Sequence, residues 1–127
     1  MCGRYVSPDE ASIELEFNLV HMEWQFPPSF NAAPTQQVPV VRQADGALQG
    51  SCMRWGLIPF FAKGEPPKYS TINARIETIE TAASYRGPWK RGQRCIIPAA
   101  GFYEWHLNND GKKQPFYIRS VGQEVHG

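Results

Sequence analysis

The chain has 127 residues, a formal net charge of +1, and 42% hydrophobic and 20% charged residues. That composition excludes a disordered chain and a polycation that holds nucleic acid by bulk charge, and the length is that of one domain, whose core can bury roughly two-thirds of the unfolded surface. Glycine and proline number 11 each and 13% of residues are aromatic, a mixture that suits a loop-rich, mostly β fold.

In chain order, residues 7–19, "SPDEASIELEFNL", predict a short helix. Ser7 would be its N-cap, Pro8 its first residue and Glu10 the partner in a capping box. Residues 24–36, "WQFPPSFNAAPTQ", hold too much proline for a helix or a central strand and predict an ordered loop. "QVPVVRQ", "ADG" and "ALQGSCMRWGLIP" predict a hairpin around a turn. Residues 60–72 predict a loop, and residues 73–86, with Ile76, Ile79 and Ala83 at helical spacing, a partly helical segment. "RCIIPAAGFYEWH", "NNDG" and "KKQPFYIRS" predict a second hairpin.

No apolar run approaches the ~20 residues of a membrane span, so no membrane partner is expected. Cys2, Cys52 and Cys95 are odd in number and widely spaced, which argues against a disulfide framework and for a reducing cytoplasm. His21, His106 and His126 form no metal spacing with one another or with the cysteines, so neither a metal nor another cofactor is expected.

Three stretches carry candidate chemistry. In "MCGRY", removal of Met1 would make Cys2 the N-terminal residue, with an amine and a thiol on adjacent carbons; the plainer reading is a partly buried, inert cysteine. In "INARIET", Asn73, Arg75 and Glu77 lie together after a loop; the plainer reading is a helix N-terminus with Asn73 as cap. In "PAAGFYEWH", Glu104 lies between Tyr103 and Trp105 on a predicted strand; it either faces a pocket or simply faces solvent on an outer strand.

Together, "MCGRY", "FNAAPTQ", "RWGLIP", "INARIET" and "GFYEW" resemble, in order and spacing, the SRAP family (SOS-response-associated peptidase), from Met1 to about Arg119. The resemblance implies an α+β, mainly β fold with a barrel-like curled antiparallel sheet and short peripheral helices, because Glu104 and Asn73 must both approach Cys2. It implies an abasic-site sensor that works on single-stranded DNA as a monomer, in the cytoplasm, nucleoid-associated in a bacterium. Cys2, freed of Met1, would close a thiazolidine on the sugar aldehyde. Asn73 would hydrogen-bond at the reacting site and Glu104 would move protons. Arg4, Arg75 and Arg86 would meet phosphates, and Phe60 and Phe61 would stack on bases. Lyase chemistry and self-cleavage of the Met1–Cys2 bond are compatible with the same residues. So are a silent single-strand-binding module and a cysteine peptidase limited to self-processing.

The family also carries an assisting His beyond the matched stretch, and neither His106 nor His126 occupies its motif. Residues 1–127 are therefore expected to be the N-terminal major part of one SRAP-like domain, with sheet edges left unpaired near Ser120.

Overall fold

The computed structural model describes residues 2–19, 21–22 and 24–122. In chain order its elements are β1 (Tyr5–Ser7), α1 (Glu10–Phe17), β2 (His21–Met22), β3 (Ser29–Ala32), β4 (Gln37–Ala44), β5 (Ala47–Arg54), a 3-10 turn (Phe60–Ala62), α2 (Arg86–Lys90), β6 (Gly101–Leu107) and β7 (Lys113–Ile118).

Both expected hairpins form. Asp45 and Gly46 turn β4 into β5 with φ of 51° and 80°, as a two-residue type I′ connection requires. Pro39 lacks an N–H but sits on β4, an edge of its sheet, where that loss is tolerated. The second turn closes with the Asn108 amide donating to the Lys112 carbonyl at 2.8 Å and the Lys112 amide donating to Asp110 Oδ1 at 3.1 Å. Its first strand is shorter than predicted. Regular pairing starts only at Gly101, and Ile96 makes an isolated two-bond bridge to Val41.

The strands form two sheets, β3-β1-β6-β7 and β2-β5-β4. All pairs are antiparallel except β2 with β5. Tyr5 and Ala32 from the first sheet meet Val38 and Val40 from the second, together with Trp55, in one buried cluster. The Tyr5 and Trp55 rings meet edge to face at 5.5 Å. The mainly β architecture with short outer helices is thus as expected. The curl stops short of a barrel: the strands form two separate sheets, and the Val41–Ile96 bridge ties β4 only to the segment ahead of β6.

Gly101 permits the tightest approach in the first sheet. A Cβ there would lie 2.5 Å from the Tyr117 ring and 2.6 Å from the Ile118 carbonyl. Beyond it the β6–β7 hairpin leaves Phe102, Trp105, Leu107, Phe116, Tyr117 and Ile118 exposed.

Four local expectations are corrected. Ser7 does not cap α1, since it pairs with Ser29 in the sheet; Asp9 caps instead, accepting from the Ser12 amide and hydroxyl at 2.9 Å each. The Glu10 carboxylate does not close a capping box but accepts from the Phe26 amide at 2.9 Å. The proline-rich segment is not all loop, because Ser29–Ala32 adds an edge strand to β1. Residues 73–85 hold no helix: only turns precede α2, and Ile76 is 68% exposed rather than on a packed face.

Candidate active site

The site starts from the position of β1. It lies between β3 and β6, so the chain ahead of it is held from both sides. The Tyr103 amide donates to the Arg4 carbonyl at 3.0 Å. Tyr5 pairs with Phe102, and continuing that register brings Gly3 toward the level of Glu104. Cys2 is half-buried against the Tyr5–Trp55 cluster, together with Ile72 and Ala99. Its thiol lies 3.6 Å from the Arg4 carbonyl. Asn73, 71 residues away in sequence, donates from Nδ2 to the Cys2 carbonyl at 3.4 Å. The structure therefore brings Cys2 and Asn73 together, with Glu104, itself half-buried and engaged, on the neighbouring strand.

The segment that carries Asn73 is extended for a local reason. Its carbonyls are taken by distant donors instead of by amides four residues on. The Thr71 carbonyl accepts from the Leu57 amide at 3.4 Å, the Ile72 carbonyl from Trp55 Nε1 at 3.4 Å, and the Asn73 carbonyl from the Tyr85 hydroxyl at 3.0 Å. A helix starting at Asn73 would need that last carbonyl for itself.

The cations and aromatics singled out from the sequence all lie at the surface. Arg4 is exposed and its guanidinium donates to Asn31 Oδ1 at 3.1 Å. Arg75 is exposed two residues beyond Asn73, and Arg86 is exposed next to Tyr85. Phe60 and Phe61 are 81% and 46% exposed and pack edge to face at 5.6 Å. They are not core residues. Tyr85, Trp55 and Asn31 were not singled out by sequence reasoning, since no motif marks a side chain whose task is to hold another segment's backbone or guanidinium.

The other two thiols sit in different surroundings. Burial pushes the Cys52 thiol up, with the Glu10 carboxylate adding to it, and burial alone pushes Cys95 up. Both are kept in the thiol form, which is the weak nucleophile. The Tyr5 phenol is pushed up to about 12, chiefly by burial; Ser7 opposes the shift and Cys2 and Cys52 reinforce it. Among the described residues no three of His, Cys, Asp and Glu converge to hold a metal ion, and no helix is long and apolar enough to cross a membrane. Met1 and His126 lie outside the described residues, as does the His21 side chain.

Residues 1–126 match the family model described as SOS response associated peptidase (SRAP). The chain belongs to the SRAP family. Among curated SRAP relatives, it is 38% identical over 122 residues to "Abasic site processing protein YoqW" of Bacillus subtilis (strain 168), covering 94% of this chain and 54% of that protein. It is 36% identical over 107 residues to "Abasic site processing protein HMCES" of Gallus gallus, covering 76% of this chain and 32% of that protein. The chain thus spans about half the length of its bacterial relative and a third of the avian one. A crystal structure of a protein from Bordetella bronchiseptica superposes with a TM-score of 0.79 at 25% identity, over 98% of this chain and 60% of that one. A phage-related protein of the same organism gives 0.68 at 28% identity, over 98% and 57%.

Proposed function

We propose that this chain captures abasic sites in single-stranded DNA through Cys2, once Met1 has been removed. The observation that carries the reading is the hydrogen bond from Asn73 to the Cys2 carbonyl, which fixes a half-exposed N-terminal cysteine beside a polar group from the far side of the chain. The names of the relatives support abasic sites as the substrate.

The chemistry needs a residue with both amine and thiol, and an N-terminal cysteine has both. An α-amine has a reference pKa of about 7.7–8.0, so a useful share is neutral near pH 7. The ring-opened sugar presents an aldehyde at C1′. The amine adds to that carbon, and loss of water gives an imine. The thiol then adds to the imine carbon, its proton passes to the nitrogen, and a five-membered thiazolidine closes. Closure is intramolecular and has a high effective molarity. Glu104 takes and returns protons at the amine and the departing water. Arg4, Arg75 and Arg86 position the phosphates, while Phe60 and Phe61 offer rings to flanking bases at ~1–3 kcal/mol per base. These groups read no base edges, so binding tolerates sequence and favours single strands. The activity belongs in a DNA-containing compartment that keeps thiols reduced.

The test is incubation of Met1-free protein with single-stranded DNA bearing one abasic site, followed by a denaturing gel. Wild type should give a shifted band, Cys2→Ala none, and Cys52→Ala and Cys95→Ala an undiminished one at matched folded fraction. A band that survives Cys2→Ala overturns the reading. Retained DNA binding without any band in wild type would instead favour a silent binding module.

A further inference from the structure

We propose that Tyr85 is a positioning residue for Asn73. It acts through its hydroxyl, which holds the Asn73 carbonyl at 3.0 Å and so sets where the Asn73 amide meets Cys2. This rests on the reading above, in which Asn73 serves the reacting N-terminus.

Asn73, Ala74, Arg75 and Ile76 are all exposed, so packing does not hold them. What holds the segment is the run of bonds to three successive carbonyls. The donor to Thr71 is a backbone amide. The donor to Ile72 is Trp55, whose ring also fills the core. Among the described residues Tyr85 supplies the donor directly at the Asn73 carbonyl, and there the donor can be removed as a single oxygen with the ring left in place.

Tyr85 is itself fixed. Its amide donates to the Ala82 carbonyl at 3.0 Å, and its carbonyl accepts from the Trp89 amide at 2.9 Å as α2 begins. The adjacent Ser84 is buried and shares a 2.9 Å bond with the Tyr69 hydroxyl. Burial, with Tyr69 nearby, pushes the Tyr85 phenol up, so it stays a donor throughout the neutral range. The Asn73–Cys2 bond is long, at 3.4 Å. A bond near the outer limit is lost by a small drift of the segment.

The test is Tyr85→Phe, measured in single-turnover adduct formation against DNA concentration. The limiting rate should fall about tenfold while half-saturating DNA stays unchanged, since misplacement of a reacting group by about 1 Å can cost up to ~10²-fold. A rate equal to wild type overturns the proposal, and so does a fall matched by weaker DNA binding. A second readout needs no reaction. In the free protein the Asn73 side-chain amide resonances should broaden and exchange faster with solvent in Tyr85→Phe, with the remaining amide spectrum preserved. Unchanged Asn73 resonances overturn the proposal on their own. If wild type forms no adduct, the capture reading fails, and the resonances alone decide the role of Tyr85.

Discussion

At the scale of single residues, the proposed roles separate by substitution. Glu104→Gln keeps shape and hydrogen bonding but cannot accept a proton. Adduct formation should slow by about 10²-fold or more, the usual contribution of a positioned acid or base, with little change in DNA affinity by fluorescence anisotropy. Equal losses in both would place Glu104 in binding instead. Tyr5 gives a pH prediction. Its phenol stays neutral in the folded chain up to about 12, against an ordinary 10 when unfolded. The stability this neutral form contributes is fully present below about pH 10. It is lost as pH rises through about 12, because the unfolded chain ionises first. Denaturant titrations should therefore show a constant difference between wild type and Tyr5→Phe below about pH 10, and above it wild type should lose stability relative to Tyr5→Phe. Cys2, Asn73 and Glu104 could be proposed from the sequence because each sits in a short, ordered motif, and the fold brings Asn73 to Cys2. Tyr85 and Trp55 could not, since the use of a hydroxyl or an indole depends on which distant carbonyl folding delivers to it.

At the scale of elements, turn chemistry was the readable part. Asp45-Gly46 and Asn109-Asp110-Gly111 specify their hairpins locally, so both appeared where expected. The failures are places where tertiary pairing outbid a local preference. Ser7 looks like a cap but its backbone is needed by β3, and the helical spacing of 73–86 yields to carbonyls already claimed from elsewhere. The β1–β6–β7 junction makes a sharp prediction. Gly101→Ala would force the new methyl against the Tyr117 ring and the Ile118 backbone. The ring can shift but the carbonyl cannot move without breaking the ladder, so a loss of about 1–3 kcal/mol is expected in urea titration. A neutral outcome would mean that the β6–β7 hairpin is not held as tightly as its geometry implies.

At the scale of the molecule, this chain spans about half the length of the bacterial relative it matches, and its β6–β7 hairpin leaves several large apolar side chains exposed. The core cluster is built from both sheets, and β1, which carries Tyr5, is enclosed by a strand from the far end of the chain. Tyr5 can pair with Ala32 early, but its second strand neighbour, Phe102, arrives 97 residues after it (102 − 5 = 97). Synthesis at about 5–20 residues per second puts roughly 5–20 s between the two. The amino-terminal strand is thus enclosed on its second side last. Through that interval it has β3 alone as a strand neighbour, and on the proposed reading an aminopeptidase that removes Met1 has its easiest access then. Seated, the tail runs between two strands with Cys2 against the core. Nascent chains stalled before residue 101 should be clipped as fast as a free peptide of the same opening sequence, and folded chains still bearing Met1 markedly more slowly. Equal rates would mean that seating offers no obstruction. On the proposed reading, maturation of the amino terminus is then a race between trimming and closure.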